Sequence, residues 1–222
     1  MTILPPEKIG RYLQEAEKYG VLPMFYLELS SGLRRGELLA LQWTDLNVKE
    51  RILTVNKQVT RMEGELDVTE PKTKNSVRKV ALSQQAVDLL VQEHEQHLDN
   101  PILFPSPRTG GYWSPDAVSR INRKLLKNVG IEEHVRFHDL RHTFATMAIS
   151  SGVDVKTLSS MLGHYSAGFT LDTYTHITND MQRGAAEKIG GFMESVTAAN
   201  TPEPPDPPEE SRCKVIPFEK VG

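Results

Sequence analysis

The sequence predicts a mainly α-helical fold with a small antiparallel β-sheet, an α+β domain. Three observations lead there. Apolar residues recur at helical spacing through most of the chain, whereas only RILTVNKQVT (51–60) and VRKVAL (77–82) show the alternation and β-branched content of strands. The length of 222 residues gives room for one sizeable core and cramps a second.

Taken in order, Pro5 and Pro6 open a helix of about 5–19, with Ile9, Tyr12, Leu13 and Ala16 on one stripe. A second helix, about 22–31, ends at Gly32, and a third runs from about Arg35 to Trp43. The two strand-like stretches follow, with Glu63-Gly64-Glu65 marking a turn between strands. Ser83 caps a helix reaching about 98, the loop NPILFPSPRTGG is broken by proline and glycine, and Ser114-Pro115-Asp116 starts a helix to Gly130. Four helical pieces complete the domain, at about 138–151, 154–162, 169–176 and 180–197. The last carries Ile189, Phe192, Met193 and Val196 on one stripe, which must be covered either by its own domain or by another protein. Residues 198–222 are too rich in proline and acid to form a core and are expected to be a disordered tail.

No run approaches the roughly 18 apolar residues of a membrane helix, and the N-terminus MTILPPEKIG lacks the basic and apolar regions of a secretory signal. The single Cys213 can form neither an internal disulfide nor a cysteine metal cluster, so the expected setting is the cytoplasm. The net charge of −3 is awkward for a nucleic-acid binder, but from Ser195 onward five acids face three bases, which leaves the remainder close to neutral. Basic residues instead cluster locally, as Lys72, Lys74, Arg78 and Lys79, and as Arg120, Arg123, Lys124 and Lys127.

The stretch HDLRH, 138–142, admits two chemistries. Read as a zinc site, it lacks the glutamate of H-E-x-x-H, needs His164 or His176 as a third ligand, and sets the metal beside the permanent cation Arg141. Read as a phosphate grip, Arg141 is a planar fork matched to phosphate oxygens, with His138 one turn away to exchange a proton. The surroundings favour phosphate. SSGLRRGELLALQWTDL (30–46) sets Arg34 at a helix–helix junction with Glu37 able to orient it and Arg35 facing solvent, EPKTKNSVRKVAL holds Lys72 in a turn, and MLGHYSAGFTLDTYTHI (161–177) holds His164 and Tyr174.

In that wording and order the chain resembles the tyrosine recombinases, the phage integrase family, over about residues 4–194, closest in phrasing to integrases of phages and conjugative transposons of Gram-positive bacteria. The resemblance implies that Arg34, Lys72, His138, Arg141 and His164 surround a scissile phosphate and that Tyr174 attacks it to form a covalent 3′-phosphotyrosine. It implies site-specific recombination by DNA strand cleavage and rejoining, without metal, ATP or other cofactor. Arginine and histidine would take the place of the metal, and Lys72 would protonate the leaving 5′-oxygen. His142, off these positions, is expected to be structural, and Tyr165 is a weaker rival to Tyr174. A nicking and closing topoisomerase of type IB and a non-catalytic DNA-binding regulator are the rival functions. The implied partners are double-stranded DNA, further copies of the chain in a tetramer on that DNA, and accessory DNA-bending or excision proteins, with no membrane. The catalytic domain is expected over 1–197, and the N-terminal core-binding domain of full-length members is expected to be absent.

Overall fold

The computed structural model describes residues 2–62, 64–70, 77–163, 168, 170 and 174–199. Helix α1 (Pro6–Lys18) starts on proline at its first turn, where no backbone N–H is needed, and buries Tyr12 and Ala16. Helix α2 (Leu22–Ser31) is apolar nearly all round, LPMFYLELSS, and accordingly becomes the central helix, packed by α1, by α4 (Gln84–Glu95) and by α6 (Phe137–Ser150). Its end is set by Gly32, whose φ of 61° closes the helix in the left-handed region. Helix α5 (Pro115–Asn128) braces α1 from outside: the Tyr12 hydroxyl donates to Asn122 Oδ1 at 2.6 Å, and Asn122 Nδ2 donates to the Val135 carbonyl at 3.1 Å.

Three expectations are corrected. Helix α3 (Arg35–Ala40) stops before Trp43, because Leu41 and Trp43 are drawn into backbone hydrogen bonds with Leu103 and Pro101 and a 3-10 turn, Trp43–Asp45, follows. The strand expected at 51–60 is two strands, β2 (Ile52–Val55) and β3 (Gln58–Met62), parted at Asn56-Lys57. Lys57 Nζ there reaches both carboxylate oxygens of Asp45 at 2.7 Å. The single sheet is therefore two. Strand β2 lies between β1 (Leu46–Asn47) and β5 (Arg78–Ala81), while β3 pairs with β4 (Glu65–Thr69) in a hairpin whose closing pair is Met62 and Glu65. All pairings are antiparallel.

Helix α7 (Val155–Leu162) is capped by Asp154, which accepts from the Thr157 amide at 2.9 Å, and ends at Gly163. Half of the piece expected at 169–176 lies outside the described residues, and the Tyr174 amide donates to the Thr170 carbonyl at 3.1 Å, a helical bond. Helix α8 (Thr175–Ala199) starts earlier than the expected 180. The chain divides into two units, 1–181 and 182–222. In the second, Ile189 and Phe192 are 64% and 66% exposed. Of the expected tail, 198–222, the first two residues belong to α8, which runs to Ala199, and the rest lies outside the described residues.

The main core gathers the buried faces of α1 to α5 and the sheet around Tyr12, Phe25, Leu38 and Leu53, and a smaller cluster joins α6 to α7 through Phe144, Ile149, Leu158, Leu162 and Tyr174. Gly32 sits where the two helix systems meet, and a Cβ there would fall 2.2 Å from Phe144 Cδ1. Gly32→Ala should therefore cost about 2–3 kcal/mol, combining overpacking with a left-handed backbone. Gly10→Ala, in open space on exposed α1, should instead stabilise by about 0.5–1 kcal/mol. Urea unfolding of the two variants checks both signs.

Candidate active site at the C-terminal end of helix α7

A helix leaves its last carbonyls without amide partners and carries partial negative charge at that end. At the end of α7 three successive carbonyls are each met by a different arginine. Arg78 Nε donates to Met161 O at 2.6 Å, Arg141 Nη2 to Leu162 O at 2.7 Å, and Arg34 Nη2 to Gly163 O at 3.3 Å. The three come from β5, from α6 and from the residue preceding α3. Arg141 also donates to the Gly32 carbonyl at 2.7 Å, so its fork spans the ends of α2 and α7.

Glu37 is the counter-charge. Its carboxylate accepts from Arg34 Nη1 at 2.8 Å, from Arg78 at 3.1 and 2.8 Å, and from the Arg34 backbone amide at 2.9 Å. Burial would raise its pKa, but the hydrogen bonds and charge of Arg78, joined by Arg34, outweigh this and hold it below the usual carboxylate range. The expected orientation of Arg34 by Glu37 is present, while Arg35, expected to face solvent, donates to Ser119 Oγ at 2.6 Å and to Pro115 O at 3.3 Å. Gly36 is required because a Cβ would fall 2.8 Å from the Val59 carbonyl oxygen, which keeps α3 tight on β3.

Of the three arginines, Arg34 keeps the exposed edge, with 38% of its side chain accessible, whereas Arg78 and Arg141 are buried. Desolvation first, and the neighbouring Arg34 charge second, lower Arg141 to about 10, which leaves it cationic at neutral pH. Glu28 on α2 lies wholly buried near it, without a hydrogen-bond partner among the described residues, and burial pushes its carboxyl well up.

On α6, His138 is exposed and His142 half-buried, their rings edge to face with centroids 5.1 Å apart. His142 Nδ1 lies 2.9 Å from the Tyr174 hydroxyl. Tyr174 is only 3% exposed, and burial raises its phenol to about 12 despite the opposing charge of Arg141. Asp139, the acid that made HDLRH look like a metal motif, points back to the start of its own helix. It accepts from the Arg136 amide at 2.8 Å and from its guanidinium at 2.9 and 3.1 Å. Among the described residues no group of three or more His, Cys, Asp or Glu could hold a metal.

The structure thus brings Arg34 and Arg141 together at one helix end and sets His138 and Tyr174 on either side of His142. Lys72 and His164 lie outside the described residues. Sequence reasoning missed Arg78 as a site residue, though it is the arginine of P-K-T-K-x-S-x-R, and assigned His142 no chemical neighbour.

The mostly helical domain with small antiparallel sheets is the fold of tyrosine recombinase catalytic domains. It superposes on a Tn1549 transposon integrase solved with transposon right-end DNA with a TM-score of 0.73 at 23% identity, covering 85% of this chain and 66% of that one. With the XerA recombinase the TM-score is 0.67 at 26% identity, covering 83% and 64%. The chain belongs to the phage integrase family, whose model matches residues 4–181. It is 34% identical to the ICEBs1 integrase of Bacillus subtilis (strain 168) over 204 residues, 87% of this chain and 55% of that protein. It is 30% identical to a XerC-like tyrosine recombinase of Caldanaerobacter subterraneus subsp. tengcongensis over 209 residues, 84% and 53%. The chain therefore spans about half the length of these curated relatives. Among the described residues, no helix is long and apolar enough to cross a membrane.

Because Glu37 is more acidic folded than unfolded, its contribution is fully present above the ordinary carboxylate range and is lost as pH falls through its lowered folded value. Glu37→Gln should cost about 3–5 kcal/mol at neutral pH, since it leaves buried Arg78 without its carboxylate. The variant should also lose less stability than the parent between neutral and acid pH. Urea titrations of both proteins across that range test it, and parallel curves would contradict the assignment.

Proposed function

We propose that residues 1–197 are the catalytic domain of a site-specific recombinase that cleaves and rejoins DNA for the integration and excision of a mobile element. The observation that carries this reading is the convergence of Arg34 and Arg141 on adjacent carbonyls at the end of α7, with the Tyr174 hydroxyl held from the same helix, α6, that supplies Arg141. In this reading those carbonyls hold the guanidinium groups in place for a phosphate, and Arg34 offers its exposed edge first.

Tyr174 attacks the phosphorus in line, the departing 5′-oxygen takes a proton from Lys72, and the phosphotyrosine stores the bond energy until a 5′-hydroxyl reverses the step. Arg34, Arg141 and His164 stabilise charge on the non-bridging oxygens, which makes a metal or ATP unnecessary. His138 exchanges a proton at the rim. Double-stranded DNA is the substrate, and complexes with DNA among the similar structures support that. So does a cleft beside His138 lined by Arg35, Arg123, Arg136 and His134, where basic groups gather despite the acidic whole. On the DNA the chain works as a tetramer, with the Ile189, Phe192, Met193 and Val196 stripe docking on a neighbouring copy. Accessory DNA-bending or excision proteins direct the outcome.

Incubation with nicked duplex bearing a candidate attachment site, followed by a denaturing gel, tests the reading. The parent and Tyr165→Phe should give a covalent protein–DNA adduct and Tyr174→Phe none. An adduct surviving Tyr174→Phe would sink the nucleophile. Arg141→Lys keeps the charge but cannot bridge two carbonyls and a phosphate, so adduct formation should slow by about 100-fold or more. A rate within a few-fold of the parent would refute the fork.

A further inference from the structure

The reading above leaves proton exchange to His138, yet among the described residues it is His142, not His138, that is hydrogen-bonded to the Tyr174 hydroxyl. That hydroxyl is in a difficult position. Its ring is packed into the cluster of Phe144, Leu158 and Leu162, and burial opposes ionisation. Among the described residues its hydroxyl has one hydrogen-bond partner, His142 Nδ1 at 2.9 Å. A buried phenol O–H needs an acceptor, and a neutral imidazole offers one only at its unprotonated nitrogen. With the phenol as donor, the free electron pair of His142 is on Nδ1 and its proton on Nε2.

We propose that His142 is a further catalytic residue, the base that takes the phenolic proton from Tyr174. As Tyr174 Oη bonds to phosphorus, its O–H bond breaks and an N–H bond forms on His142 Nδ1. The bond from phosphorus to the 5′-oxygen breaks, and that oxygen is protonated by Lys72. On rejoining, the imidazolium returns the proton to Oη as the phosphotyrosine bond breaks. The inference rests on the recombinase reading but adds to it a residue that reading does not use.

Its surroundings suit the task. Among the described residues the charged and titratable groups acting on His142 are His138, Asp139, Arg141 and Arg136 from α6 and its start, and Tyr174 itself. Partial burial first, and then His138, lower its pKa, which keeps the imidazole neutral and accepting before the reaction. The cation formed afterwards lies beside the phosphate that Arg141, the preceding residue, is proposed to hold. His138 lies edge-on to the ring, with centroids 5.1 Å apart.

Two variants separate a base from a prop. His142→Phe keeps a ring and removes the acceptor. His142→Asn keeps a hydrogen-bonding group near the Nδ1 position but cannot carry the proton at neutral pH. The probe is a nicked duplex whose half-site has been selected by this chain from a random-sequence pool. Single-turnover adduct formation should fall by about 100-fold to 10,000-fold in both variants, with DNA affinity unchanged, and added imidazole should restore part of the rate in His142→Ala. Wild-type rate in His142→Asn would reduce His142 to a positioning residue, and wild-type rate in His142→Phe would remove it from the reaction. Where a variant melts early, nitrogen NMR of the intact parent decides: an Nδ1-protonated His142, or one unmoved by Tyr174→Phe, overturns the proposal. If the parent itself forms no adduct, the recombinase reading fails and this inference with it. An adduct with unaffected His142 variants defeats the inference alone.

Discussion

Three arginines donate to three consecutive carbonyls at one helix end, and the rest of the site depends on that arrangement. The C-terminal carbonyls of α7 need donors, and the guanidinium groups of Arg34, Arg78 and Arg141 need acceptors when shielded from water. Each requirement answers the other. The consequence is architectural as well as electrostatic, because the arginines arrive from the start of α3, from β5 and from α6. Fixing them against one short helix brings distant parts of the chain to a common point. Gly32 and Gly163, which end α2 and α7, place their carbonyls where those arginines reach.

Gathering cations has an energetic cost, and the carboxylates show how it is offset. Glu37 serves Arg34 and Arg78 together, and its depressed pKa is the sign that the charged form is the one the fold holds. Among the described residues no carboxylate is bonded to Arg141. Its described partners are carbonyl dipoles, which leaves its full positive charge uncompensated by a bonded anion. A cation hydrogen-bonded to carbonyl dipoles rather than to a carboxylate is well suited to receive an anionic group. The overall charge of −3 is thus a poor guide to this region, since acids such as Glu37, Asp45 and Asp139 are already committed to internal arginine or lysine partners.

Much of this was readable in the sequence, and the failures have physical causes. Proline starts, the Ser83 cap and the Gly32 stop are local signals, and the helices they bound match the structure within a few residues. The break at Asn56-Lys57 is not local. It depends on Lys57 finding Asp45 twelve residues away, while the β-branched run on either side reads as one strand. The early end of α3 likewise depends on the distant 101–103 segment. In the candidate site, the family resemblance pointed to Arg34, His138, Arg141 and Tyr174, but it could not show that Arg78 shares Glu37 or that His142 reaches Tyr174. Both contacts are made across the fold, at sequence separations of 41 and 32.

The acid in HDLRH shows how a local motif acquires a different meaning in context. Arg136-Phe-His-Asp139 and Arg34-Arg-Gly-Glu37 are the same device: an arginine precedes the helix, and an acid three residues later accepts its backbone amide and its guanidinium. In both places the acid completes the first turn of a helix carrying a proposed site residue at or next to its start. Arg34 is itself the residue before α3, and His138 is the second residue of α6. A carboxylate engaged in this way has little capacity left to act as a general base or metal ligand. The pattern that suggested a hydrolytic zinc centre is therefore a helix start, and it fixes His138 and, one turn further on, Arg141 and His142 in register toward Tyr174 and the end of α7.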